Sequence, residues 1–288
     1  MTGLVSQRTA SQIRETISGW RAAGDSIALV PTMGNLHRGH LSLTELAAQH
    51  ADRVILTIFV NPTQFGGDED FDAYPRTLVE DRALLHEAGT VDGLFVPDVS
   101  EIYPHGIDGA FRLEVPALGA QLCGASRPGH FDGVAGVVLR LLNITAPDML
   151  VLGQKDYQQL RILERMIADL RLPVAVIPAE TQREDDGLAI SSRNAYLTAE
   201  DRTRAPLLRK TLEEVGAQLA NGDRDFETLQ KNAMERLAEN GFRPDYVEVR
   251  RARDLSLPDS ANRSDELIVL AAAWLGRARL IDNLIPED

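Results

Sequence analysis

The chain has 288 residues, 44% of them hydrophobic and 25% charged, with a formal net charge of −13 and one cysteine, Cys123. Such a length and composition describe a globular protein with a real core, in one large domain or two of ordinary size. The acidic balance excludes broad nucleic-acid binding, which needs a basic face to displace counterions, and a single cysteine excludes an internal disulfide framework and fits a reducing, cytoplasmic setting.

The stretch "MTGLVSQRTASQIRE" lacks the basic-then-apolar layout of a signal peptide. "SIALVPT" reads as a short strand, followed by helical periodicity in "RGHLSLTELAAQHA". "RVILTIFVN" is a continuous apolar strand, and "RTLVEDRALLHEAG" an amphipathic helix closed by a glycine. "GLFVPD" is the next strand, "HFDGVAGVVLRLLNIT" a helix, "DMLVLGQKD" a strand, "YQQLRILERMIADL" a helix and "PVAVIPAE" a further strand. Apolar strands separated by helices are the pattern of a parallel sheet covered on both faces. None of the apolar runs, "ELIVLAAAWL" included, approaches the roughly 18 residues of a membrane helix.

After "REDDGLAISSRNAYL" the texture changes. Helical segments over about 199–220 and 226–240 precede the strand "DYVEVRRA" and a pair of strands in "ELIVLAAAWLGRARLIDNL", joined antiparallel at Gly276. The fold expected is α/β: a Rossmann-like doubly wound parallel sheet over 1–184, with a smaller α+β C-terminal domain over 185–288. No linker composition marks the boundary.

Ligands of open α/β sheets bind beyond the carboxyl ends of the strands, and each polar cluster of this sequence falls at such an end. "PTMGNLHRGH" follows the first of these strands, "NPTQF" the second and "QKDYQQ" the "DMLVLG" strand, while "PVAVIPAE" leads toward "DDGLAISSRN". A strand, a glycine-containing turn and a helix N-terminus offer backbone N–H groups to phosphate oxygens. Read alone, His37 and His40 are phosphate-facing groups, metal ligands or ordinary helix-start residues. Helical zinc pairs sit at i and i+4 around a Glu; here the spacing is i and i+3 around Arg38 and Gly39, which disfavours the metal. Among 30 basic residues only three are lysines, Lys155, Lys210 and Lys231. A compact ammonium at 155, in a chain that otherwise takes arginine, points to a position that needs a point cation.

The order "PTMGNLHRGH", "FVNPTQF", "ASRPGHFDGV", "GQKDYQQL" and "ISSRNAYL" closely resembles the pantothenate synthetase (pantoate–β-alanine ligase) family, within the wider His-x-Gly-His nucleotidyl-transferring superfamily. The likeness runs from about residue 26 to "AAAWLGRARLIDN". It implies an ATP-dependent condensation of (R)-pantoate with β-alanine through pantoyl adenylate, releasing pyrophosphate and then AMP. Magnesium would accompany the ATP, the enzyme would be cytoplasmic and homodimeric, and neither nucleic acid nor membrane would be a partner.

By this resemblance Met33, Gly34, Asn35, Leu36, His37, Arg38, Gly39 and His40 line the ATP site, with His40 the candidate proton donor and His37 and Lys155 catalytic beside it. Gly153, Gln154, Lys155, Asp156, Gln182, Ile190, Ser191, Ser192 and Arg193 are further ATP contacts. Gln64 and Gln159 contact pantoate, Asn61 shares that pocket, and Gln64 also lies near β-alanine. Arg127 and His130 line the same cleft, Cys123 is a packing residue, and no protein ligand for magnesium is assigned. Two positions depart from the commonest family pattern: Gln154, where Glu is expected before the Lys-Asp pair, and Thr63, where Met is common. Another adenylate-forming enzyme or nucleotidylyltransferase with the same motif is the nearest rival, and a non-catalytic nucleotide- or metal-binding module a more distant one.

Overall fold

The structure, a computed structural model, describes residues 4–66 and 71–287. The chain separates into two compact units, Met1–Gln154 with Ile162–Glu180, and Lys155–Arg161 with Thr181–Asp288.

In chain order, the first unit carries β1 (Val5–Gln7), α1 (Ala10–Ala23), β2 (Ile27–Thr32), α2 (Arg38–His50), β3 (Arg53–Ile58), α3 (Leu78–Ala88) and β4 (Gly93–Phe95). There follow α4 (Val99–Ile102), α5 (Cys123–Ser126), α6 (His130–Thr145), β5 (Met149–Gly153), α7 (Tyr157–Asp169) and β6 (Ala175–Ala179), the first turn of α7 belonging to the second unit. The six strands form one sheet in the order β1-β4-β3-β2-β5-β6, and every pairing is parallel. Ile27, Ala28, Leu29, Val30, Val54, Ile55 and Leu56 are essentially inaccessible. Unbroken burial of this kind is why these strands read as continuous apolar runs instead of alternating ones.

β2 lies between β3, the next strand in sequence, and β5, which arrives some 90 residues later. The strand order therefore reverses at β2 and β5, and their carboxyl ends flank the crevice where ligands bind in such sheets. β2 runs directly into Met33–His37, and β5 ends at Gly153 and leads into Gln154.

β1 and α1 add to the elements read from the sequence. Thr9 and Gln12 form a reciprocal capping box, and Gly24 closes the helix in the left-handed region (φ 89°). The Thr-x-x-Gln spacing was a legible start signal, but the apolar stripe after it is thin, with Ile13 and Ile17 as the buried pair.

The second unit contains α8 (Ala199–Arg204), α9 (Leu207–Ala220) and α10 (Phe226–Glu239), then β7 (Arg243–Arg251), β8 (Leu267–Leu275) and β9 (Ala278–Leu284). Its three strands are antiparallel in sequence order, with β8 and β9 joined through Gly276 (φ 55°). The segment expected as one helix over 199–220 is two, because Pro206 has no N–H for a continuous ladder. Leu208, Leu212, Val215, Leu229 and Leu237 pack on Val247, Val249, Val269 and Ala271 to make this unit's own core.

Candidate active site

The loop leaving β2 is tied down before it reaches α2. Thr32 Oγ1 donates to the Thr57 carbonyl (2.7 Å) and accepts from the Gly34 N–H (3.2 Å). Gly34 has φ 79°, and a Cβ there would stand 3.0 Å from both Asp81 Oδ2 and Ile58 Cγ2. Asn35 is also left-handed, at φ 51°, a conformation asparagine tolerates better than most residues. Asp81 of α3, only 3% exposed, accepts the Asn35 N–H (3.0 Å) on one oxygen and the Leu36 N–H (2.8 Å) on the other. The His37 N–H donates to His40 Nδ1 (3.3 Å).

Four successive amides of the turn between β2 and α2, Gly34 to His37, are thus engaged as donors within the protein. A buried N–H seeks a partner at once, and Thr32, Asp81 and His40 supply it. The segment holds the start of α2 in a defined geometry, with the His37 and His40 rings 4.0 Å apart, tilted by 33°. Since His40 Nδ1 accepts, a neutral His40 carries its proton on Nε2.

The turn after β3 is a second rigid feature of the first unit. Asn61 is 1% exposed and caps the turn Pro62–Gln64. Its Oδ1 accepts from Tyr103 Oη (2.8 Å), Thr63 Oγ1 (3.0 Å) and the Thr63 N–H (3.3 Å). Its Nδ2 donates to Gln64 Oε1 (3.0 Å) and the Gly133 carbonyl (3.2 Å). Both ends of Asn61 are therefore engaged within the protein, whereas Gln64 is half-buried and sends Nε2 to Met33 Sδ (3.2 Å). That contact joins the segment after β2 to the turn after β3. Burial pushes the Tyr103 phenol above its ordinary pKa, opposed by its hydrogen bond with Thr63 and the nearby Arg140 charge.

Arg127 and His130 come to the same turn. His130 Nδ1 lies 2.7 Å from the Gln64 carbonyl, and its Nε2 lies 2.9 Å from Arg127 Nη1. A guanidinium only donates and a carbonyl only accepts, so His130 is neutral here, with its proton on Nδ1. Gly133, one turn into α6, permits the close fit, because a Cβ there would meet the Thr63 carbonyl oxygen at 2.2 Å. Cys123 is buried at the start of α5.

Gly153 and Gln154 lie in the first unit at the end of β5, and the remaining expected residues belong to the second unit. Lys155 is 19% exposed on its side chain, with Nζ 3.9 Å from Asp156 Oδ2, and its carbonyl accepts from Asn283 Nδ2 (3.0 Å). Gln159 is half-buried on α7, whose first residue, Tyr157, donates its hydroxyl to the Ala252 carbonyl (3.0 Å). Gln182 accepts the Ile190 N–H (2.9 Å) across a narrow reversal closed at Gly187. Ser191 Oγ accepts from the Arg193 N–H (3.3 Å), which starts the turn Ser192–Tyr196. Arg183 makes a two-pronged pair with Asp282 (2.7 and 2.9 Å), which is 4% exposed, and so fastens this reversal to β9. Lys155, Ser191, Asn194, Arg209 and Asp282 line one cavity of this unit, bringing Lys155 and Ser191 together.

Sequence reasoning did not single out Asp81, Tyr103 or Asp282. Asp81 stands in an ordinary amphipathic helix and Tyr103 in an irregular segment, so neither carried a local signal. Asp282 directly follows the apolar pair Leu280 and Ile281 on β9, where a charge drawn into the core asks for a partner.

The pantoate-beta-alanine ligase family model matches residues 6–285. A pantothenate synthetase of Thioalkalivibrio sulfidiphilus is 54% identical over 280 residues, 97% of this chain and 96% of that protein. One from Shewanella amazonensis is 52% identical over 275 residues, 95% of this chain and 96% of that protein. The crystal structure of pantothenate synthetase from Thermus thermophilus superposes with a TM-score of 0.89 at 42% identity, covering 99% of this chain and all of that one. The structure of the Francisella tularensis pantoate-beta-alanine ligase, complexed with beta-gamma ATP and beta-alanine, gives 0.82 at 33% identity over 99% of each chain. Matches of this extent place the chain in the pantoate–β-alanine ligase family.

Proposed function

We propose that this chain condenses (R)-pantoate with β-alanine at the expense of ATP, forming pantothenate, AMP and pyrophosphate. The observation that supports this most directly is the meeting of Met33 and Gln64. It joins the His-Arg-Gly-His segment, a nucleotide-handling motif, to an amide suited to a hydroxy acid, at the carboxyl ends of neighbouring strands. In the first step a pantoate carboxylate oxygen bonds to the α-phosphorus of ATP and the bond to pyrophosphate breaks. In the second, the β-alanine amine attacks the acyl carbon, loses a proton and expels AMP.

Each residue of the site has a part in this reading. His37 and His40 hydrogen-bond the phosphates as negative charge builds there, and Nε2 of His40 carries the proton to be given. Lys155 neutralises charge as two anions are brought together. Met33–His40, Gly153–Asp156, Gln182 and Ile190–Arg193 contact ATP, the serine hydroxyls and Arg193 serving its outer phosphates. Gln64 and Gln159 hold pantoate, with Asn61 acting on the pocket through Gln64. Magnesium carried on the ATP phosphates would lower their charge. Residues 1–184 form the domain that binds ATP and pantoate, and 185–288 the smaller domain, in a cytoplasmic homodimer.

Among the described residues no helix is long and apolar enough to cross a membrane. The decisive assay is ATP–pyrophosphate exchange with pantoate present and β-alanine omitted, followed by adding β-alanine. Pantoate-dependent exchange that turns into pantothenate and AMP formation is the expected result. Exchange that depends on another acid, or nucleotide binding without exchange, would transfer the site to the rival readings.

A further inference from the structure

The hydrogen bonds around Asn61 determine which way the Gln64 amide faces. An amide oxygen and an amide nitrogen look alike in outline, so their assignment has to come from partners whose roles are fixed. Two backbone groups provide that here. The Thr63 N–H can only donate, so the end of Asn61 beside it (3.3 Å) is the oxygen. The Gly133 carbonyl can only accept, so the end beside it (3.2 Å) is the NH2. The other proton of that NH2 reaches Gln64 at 3.0 Å, where only the Gln64 oxygen can receive it. The Gln64 nitrogen is therefore the atom beside Met33.

Two hydroxyls reinforce this arrangement. Tyr103 Oη donates to Asn61 Oδ1, and Thr63 Oγ1 lies within hydrogen-bond distance of both Asn61 Oδ1 and Tyr103 Oη (3.1 Å). With the phenol proton spent on Asn61, the Thr63 proton closes the triangle from either side. A reversed Asn61 would turn its oxygen onto the Gly133 carbonyl and lose both hydroxyl donors. Burial keeps the phenol protonated and hence a donor. The Arg140 guanidinium over its ring, 4.7 Å from the centroid, helps hold Tyr103 in place.

We propose that Tyr103 and Thr63 are positioning residues which, through Asn61, lock Gln64 as a hydrogen-bond donor, so that its NH2 recognises an oxygen acceptor of the acid substrate. The proposal rests on the functional reading above for the identity of the acid. A carboxylate or hydroxyl oxygen satisfies the Gln64 NH2. An ammonium has no lone pair to offer that NH2, and the Gln64 oxygen faces Asn61.

Two measurements test it. In protein labelled at the Met methyl and Gln side-chain nitrogen, the Gln64 amide protons should show an Overhauser contact to the Met33 methyl, weakened at least twofold in the Tyr103→Phe/Thr63→Val double variant. Absence of that contact in the unmodified protein, or no change in the variant, would overturn the lock. In pantoate-dependent pyrophosphate exchange, the double variant should raise the KM for pantoate by roughly five- to tenfold, the scale of one hydrogen bond, and leave the KM for ATP unchanged. Parallel rises in both KM values, or a loss in kcat alone, would mean a merely structural role and also overturn it. Phe and Val conserve the ring and the branched shape, so each single variant should fall between the two. An unmodified protein that shows no pantoate-dependent exchange would sink the functional reading, while the Overhauser measurement would still decide the orientation of Gln64.

Discussion

Asp81 Oδ1 receives the Leu36 N–H at 2.8 Å, across 45 residues of sequence. Its second oxygen receives the Asn35 N–H, so one buried carboxylate shapes the approach to His37 and His40. Asp81→Ala leaves two part-buried amides without their acceptor and is expected to cost about 2–4 kcal/mol of stability in urea unfolding. Asp81→Asn keeps one acceptor oxygen and should lose about half as much. Pyrophosphate exchange should fall in the same order, because the histidines lose their platform; an Asp81→Ala protein with unaltered exchange would break that link.

His40→Ala and Lys155→Ala are expected to lower pantoate-dependent exchange by about 100-fold or more, the scale of removing one preorganised charge-stabilising group. Their circular dichroism should stay unchanged. Near-normal exchange by both variants would overturn the assignment of these residues to adenylate formation.

Gly133→Ala places a methyl where the Thr63 carbonyl oxygen stands, 2.2 Å away. Backbone cannot swing aside as a side-chain tip can, so the turn Pro62–Gln64 must move off α6. The expected cost is about 1–3 kcal/mol, with a raised KM for pantoate. Unchanged stability and KM would mean the turn shifts without consequence.

Arg183 and Asp282 hold the reversal that carries Ser191 to Arg193. Asp282→Asn leaves the Arg183 charge without its carboxylate. Arg183 retains some solvent, with 23% of its side chain exposed, so the loss should lie below the roughly 3–5 kcal/mol of a fully buried pair, at about 2 kcal/mol. A thermal unfolding scan reads this directly, and exchange should show a raised KM for ATP.

Asp186 pairs with Arg202 at 2.5 Å and accepts the Leu188 N–H. The hydrogen bond from Arg202 holds its carboxyl below the ordinary pKa, against the opposing effect of partial burial. A depressed folded-state pKa contributes stability above the unfolded value, near pH 3.9, and that contribution is lost as pH falls through the folded value. Asp186→Asn should therefore be less stable than the unmodified protein at neutral pH, with the difference shrinking only below about pH 4. A difference that grew on acidification would contradict this sign.

The elements of the parallel sheet were legible because burial on both faces writes itself into sequence as unbroken apolar runs, as in Ile27–Thr32 and Arg53–Ile58. α6 begins and ends where its residue pattern places it, at His130 and Thr145. β1 escaped because three residues are too few to show a period, and the break at Pro206 was outweighed by the helical pattern on either side.

The sequence by itself determined the family, the order of the elements and the positions of the polar clusters, since each is carried by residues close together along the chain. Tertiary structure decided what those clusters do with their hydrogen bonds. Asp81 occupies the Asn35 and Leu36 amides, and Tyr103, 42 residues from Asn61, fixes an amide whose orientation no motif records. A hydrogen bond needs its donor and acceptor within about 3 Å, and only folding brings residues so far apart in sequence to that distance.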